Sequence, residues 1–128
     1  MDEYDVIDFI FDLIEPALTG FKGFKDKAED GQVDNHFVVN SLPWSENDKF
    51  LNEGFVNINL FVPLFENGMV RRQVMKAAVR AAKEPLQSIG STSAAGIYRT
   101  IEIIWTETAD LKEGFYCKNI KLLVTTQK

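Results

Sequence analysis

The sequence predicts an α+β fold, a small mixed or antiparallel sheet of about four strands packed against two main helices in the order α-β-β-α-β-β. Three observations predict it. An acidic amphipathic helix opens the chain, residues 55–62 alternate apolar and polar side chains ahead of a second, basic-faced helix, and a hairpin rich in Ile, Val, Thr and aromatic residues closes it. The 128 residues are expected to form one domain, 1–128, able to remove about two-thirds of the unfolded surface from water.

The first helix is predicted from Glu3 to about Leu18. Asp5, Asp8, Asp12 and Glu15 share a narrow arc, and Tyr4, Ile7, Ile10, Phe11, Leu13 and Ile14 fill most of the rest. Carboxylates spaced this way are ordinarily the solvated side of a helix. Pro16, Gly20 and Gly23 stop it. Residues 19–35 repeat Gly-Phe-Lys at 20–22 and 23–25 and then turn polar and acidic, which reads as a loop with room for one short strand; Phe21 and Phe24 are expected as core plugs. A short strand follows at 36–40, then a long connector over 41–54 that carries Trp44 and Phe50 among charges.

In the strand at 55–62, Val56, Ile58, Leu60 and Val62 make one apolar face, Asn57 and Asn59 mark a wetter one, and Pro63 ends it. Asn67 and Gly68 start a helix expected from about Met69 to Leu86, whose Val70, Val74, Ala77, Ala78 and Ala81 lie opposite Arg72, Lys76, Arg80 and Lys83. Residues 90–96 read as a flexible connector; they lack the Lys and Ser/Thr that must follow the glycine of a phosphate-binding loop. The closing strands are expected at 98–106 and about 115–126. Ile101, Ile103 and Trp105 share one face, and Ile120, Leu122 and Val124 the matching one. Glu102, Lys118 and Lys121 fall among positions that meet water or a neighbouring subunit.

Composition excludes several function classes. No apolar run approaches the roughly 20 residues of a membrane helix, and the acidic start Met-Asp-Glu-Tyr-Asp is the opposite of a secretory signal. A lone cysteine, Cys117, and a lone histidine, His36, cannot supply a structural zinc site or an internal disulfide, so no metal and no cofactor are expected. No base adjoins Cys117 or Ser88 in sequence, and no carboxylate pair stands out among 19 acids, so no catalytic residues are expected. The net charge of −5 disfavours general nucleic-acid binding. Its distribution says more: residues 1–64 hold 4 basic and 13 acidic side chains, and residues 65–128 hold 10 and 6. Two unlike poles either meet within one copy or simply solvate it, or they join copies head to tail into a ring or filament.

The acidic first helix, the loop into a strand at 37–40, the strand ending Asn-Leu-Phe-Val-Pro at 59–63, the helix after it and the hairpin carrying Asp-Leu-Lys-Glu-Gly-Phe-Tyr at 110–116 follow one another in an order that resembles a known family. The whole chain resembles the tail terminator, or tail completion, proteins of long-tailed bacteriophages, the lambda-like minor tail proteins that join head to tail. The resemblance implies a non-enzymatic virion protein, made in the host cytoplasm, that forms a homo-oligomeric ring, typically a hexamer, at the head-proximal end of the tail. Such a ring stops polymerisation of the tail tube and presents a surface to the head. The partners implied are further copies of the chain, the tail tube protein and neck or connector proteins, with DNA passing through the lumen without sequence-specific binding and no membrane involved.

The residues assigned to these contacts come from charge and exposure. Asp5, Asp8 and Asp12 are expected to face Arg72, Lys76, Arg80 and Lys83 of the next subunit, and Trp44, Phe50, Lys112 and Glu113, in the segments 41–54 and 107–114, to touch tube or neck. The alternative is a stand-alone protein-binding adaptor domain of a secretion or conjugation system. An enzyme would need a deep polar pocket around His36.

Overall fold

The computed structural model of the chain describes residues 2–42, 51–89, 91–94 and 97–127. Helix α1, Glu3–Ile14, begins on a reciprocal cap: the Asp5 backbone N–H donates to Asp2 Oδ1 at 2.8 Å, and the Asp2 N–H donates to Asp5 Oδ2 at 3.1 Å. The first of these bonds holds the Asp2 carboxyl below the usual carboxylate range. Val6, Ile7, Ile10 and Ile14 repeat at helical spacing and are buried. The α-helix ends earlier than the sequence predicts, at Ile14, because Pro16 enforces a 3-10 turn over Glu15–Ala17. Leu18 then seals the bottom of the core, and Gly20, at φ +85°, turns the chain back.

The sheet has six strands rather than four, in the order β1-β2-β3-β6-β5-β4, and the chain runs α-β-β-β-α-β-β-β. Strand β1, Lys22–Lys25, pairs parallel with β2, His36–Ser41, which pairs antiparallel with β3, Leu51–Pro63. Strand β1 is the one short strand for which residues 19–35 left room, and Gly23 lets two rings close over its backbone. A Cβ there would lie 2.5 Å from Phe37 Cζ and 2.7 Å from the Phe11 ring, and those rings pack at 5.4 Å. Helix α2, Arg72–Ile89, starts three residues later than expected: the Met69 N–H bonds to Asn67 Oδ1 at 3.0 Å, Gly68 sits at φ +82°, and the pair makes a turn instead of a cap. The helix continues past Pro85.

Strands β4, Ser91–Ala94, β5, Ile97–Ala109, and β6, Phe115–Gln127, complete the sheet by antiparallel pairing, and β4 occupies part of the expected connector. Both helices pack on one face of the sheet. Val56, Ile58, Leu60 and Val62 of β3 and Ile120, Leu122 and Val124 of β6 join Met75, Ala78, Ala82 and Leu86 of α2 in one core with α1, which is the two-layer α+β architecture predicted.

Trp105 is a correction. The pairing Ile103↔Leu122 is followed by Trp105↔Lys121, so Ile104 is an extra, bulged residue and the alternation slips by one. Trp105 therefore lies on the face away from the helices, 41% exposed, where its Nε1 donates to Asn119 Oδ1 at 2.9 Å. Asn119 in turn donates to Asn57 and Asn59, and Asn57 to Asn40, a chain of amides across three strands. The expectation that Asn57 and Asn59 mark the wetter face holds.

Candidate functional site

The rotation of α2 is fixed by its apolar stripe, Met75, Ala78, Ala82 and Leu86, which is buried on the sheet. Arg72, Lys76, Arg80 and Lys83 are then carried on the flank that overhangs the β5–β6 hairpin. They form one wall of a groove of about 580 Å³ whose other side is Thr106, Tyr116 and Lys118. No carboxylate lines it. Among the described residues the ion pairs are those of Lys22, Lys25 and Lys27, so the four α2 cations have no acidic partner. Lys118 Nζ donates to Thr108 Oγ1 at 2.8 Å and stands 5.7 Å from the Tyr116 ring centre, so its charge is also unneutralised. The buried Thr106 Oγ1 has no hydrogen-bond partner among the described residues. Lys118 escaped grouping with the helix cations because it is far away in sequence and comes from a strand.

On α1 the four acids of the arc are exposed but not equivalent. Asp5 is engaged in the helix cap, and Asp8 Oδ1 accepts from Lys25 Nζ at 2.8 Å. That bond is the main reason the Lys25 ammonium is held above its ordinary range, with Asp12 and Glu15 adding attraction. Asp12 and Glu15 have no ion-pair partner among the described residues. Helix α1 packs beside β1 and β2, and α2 packs over β3, β6 and β5. The expected interface residues are thus not brought together within one copy: the acids stand towards one edge of the helical layer and the basic groove at the other.

The residues expected to touch tube or neck fare differently. Trp44 and Phe50 lie outside the described residues. Lys112 has an internal role, since its Nζ donates to the Gln32 carbonyl at 2.9 Å and lies 4.6 Å from the Phe115 ring centre, which ties the β5–β6 turn to the loop at 26–35. Glu113 is exposed beside Gly114, which holds φ +82°. A surface the sequence did not group lies on the outer sheet face, where Lys121 stands 4.6 Å from the Trp105 ring and 5.5 Å from the Phe55 ring.

His36 sits under the loop at 26–35, stacked on Phe61 at 4.5 Å and edge-on to Phe24 and Phe115. A cleft of about 420 Å³ runs beside it, lined by Asp26, Glu29, Asp30 and Lys112 among others. His36 is among the residues that line the cleft, but its imidazole is fully buried and its Nε2 has no hydrogen-bond partner among the described residues. Cys117 is buried against Val38 and Phe61, and burial pushes its thiol up, away from the reactive thiolate.

No family model matches this sequence, and no curated protein matches it significantly. Among solved structures 31 chains match. One of them, whose name describes no function, is 14% identical, aligns over 98% of this chain and 90% of its own, and superposes with a TM-score of 0.52. That likeness establishes the fold.

Proposed function

We propose that this chain is a structural virion protein, a tail-terminator subunit that assembles into a homo-hexameric ring at the head-proximal end of a phage tail, ends tube polymerisation and joins tail to head. The family reading is supported by the element order, from the acidic helix through the Asn-Leu-Phe-Val-Pro strand to the closing hairpin. The observation that carries assembly is the placement of charge. The acids of the first helical segment and the cations of the groove are carried on different helices and form no ion pair with each other among the described residues, which suits them to meet between copies. A contact of unlike surfaces repeats head to tail and closes into a ring when its rotation permits. The exposed Glu113 turn remains available to tube or neck proteins.

Two measurements on the purified chain test the reading. Negative-stain microscopy is expected to show closed rings of uniform diameter, and addition of the chain to polymerising tail tube protein is expected to leave short, capped tubes. A chain that stays monomeric at high concentration and leaves tube length unchanged would point to the adaptor reading instead.

A further inference from the structure

We propose that the groove between α2 and the β5–β6 hairpin is the seat for the outer flank of α1 from a second copy, with Asp12 and Glu15 entering among Lys76, Arg80, Lys83 and Lys118. The inference rests on the ring reading above and assigns its subunit contact.

Two observations lead to it. The first is charge. Five cations line that groove without a carboxylate, whereas Asp12 and Glu15 stand towards the opposite edge without an ion-pair partner among the described residues. The second is spacing: Asp12 and Glu15 are three residues apart, as are Arg80 and Lys83, so two carboxylates at the end of α1 match two cations on neighbouring turns of α2.

The structure also sorts the acids. Asp8 is held by Lys25 and Asp5 by the helix cap, so neither is free to enter the groove without breaking a contact within its own copy. Asp12 and Glu15 carry the docking charge, and Lys118 receives it together with the α2 cations. Acidic flank and basic groove are different surfaces, so the contact is heterologous, and each copy offers one of each.

A charge-swap experiment decides the matter. One variant reverses the groove, Arg80→Glu with Lys118→Glu, and a second reverses the flank, Asp12→Lys with Glu15→Lys. Circular dichroism melts establish that each is folded. Each variant alone is expected to lose at least about tenfold in association constant, read by sedimentation, as several interfacial charge pairs turn repulsive. An equimolar mixture is expected to recover assembly, because reversed groove then meets reversed flank and native groove meets native flank around an alternating ring. If both variants assemble as the native chain does, this seat is wrong while the ring reading stands. Two folded, monomeric variants whose mixture stays monomeric would show that groove and flank do not pair. Should the native chain itself prove monomeric throughout, the ring reading fails and takes the seat with it. A groove-reversed variant that assembles normally but no longer retains mixed-sequence duplex DNA would make the groove a nucleic-acid surface and overturn the proposal.

Discussion

His36 shows how one side chain sets a stability limit. Its Nδ1 lies 2.8 Å from the Asp34 carbonyl, which can only accept, so Nδ1 carries the proton in the neutral ring and the lone pair is on Nε2. That nitrogen is buried among Phe24, Phe61 and Phe115 with no partner among the described residues, so protonating it would create a charged donor with none of them to bond. Burial is the chief cause that pushes the pKa below its ordinary 6.5, and the Lys112 ammonium pushes the same way, against the Asp34 bond. Above pH 6.5 both folded and unfolded chains hold the imidazole neutral, and it leaves stability unchanged. As pH falls through 6.5 the unfolded chain takes up a proton that the folded chain refuses, so stability is lost with a slope of at most about 1.4 kcal/mol per pH unit until the depressed folded pKa is reached. Urea midpoints are expected to drop between about pH 7.5 and about pH 5.5, above the carboxylate range, and the drop is expected to vanish in His36→Phe. An equal drop in that variant would remove His36 as the cause.

At the scale of elements, side-chain periodicity reaches only as far as burial imposes it. Helix α1 and the central strand β3 were legible because each must bury a continuous apolar face, recorded in β3 by Val56, Ile58, Leu60 and Val62; of the apolar face expected on α2 only Ala78 is fully buried, Val74 and Ala77 are exposed, and the covered stripe is Met75, Ala78, Ala82 and Leu86. Strand β1 reads Lys-Gly-Phe-Lys and β4 reads Ser-Thr-Ser-Ala, edge strands with no apolar alternation to announce them. The bulge at Ile104 left no signal either, because Ile, Trp and Thr all favour strands and either register looks plausible in sequence. The bulge makes a specific prediction. Deleting Ile104 leaves Ile103 inward, Trp105 outward and Thr106 inward in unbroken alternation, and it removes a side chain that is 38% exposed. Deleting Thr106 instead turns Glu107, which is exposed, towards the core. The first deletion is expected to cost about 1 kcal/mol and to keep the native Trp105 fluorescence, and the second to cost more than about 3 kcal/mol, the penalty of an unpaired charge forced inside. Thermal unfolding of the two chains checks this, and an unfolded Ile104 deletion would show that the bulge itself holds the hairpin.

At the scale of the whole molecule, topology converts a property of the sequence into a property of the surface. The order β1-β2-β3-β6-β5-β4 keeps the strands of the first half of the chain on one side of the sheet and those of the second half on the other, because β6 returns to the middle against β3. The acidic first half and basic second half thereby become opposite edges. The sign of each half was readable from residue counts, but their separation in space was not, since it depends on where β6 inserts. Nor could counting show that Asp5 and Asp8 are already engaged while Lys118 stands across from Arg80. Association driven by such edges is long-ranged and screened by salt, whose Debye length falls from about 10 Å at 0.1 M to about 3 Å at 1 M. The weight-average mass measured by sedimentation is therefore expected to fall steadily as sodium chloride rises across that range, with the far-ultraviolet dichroism unchanged. Mass that holds or rises with salt would locate the principal contact on an apolar surface, and the outer sheet face bearing Phe55, Ile104 and Trp105 would then be the place to substitute.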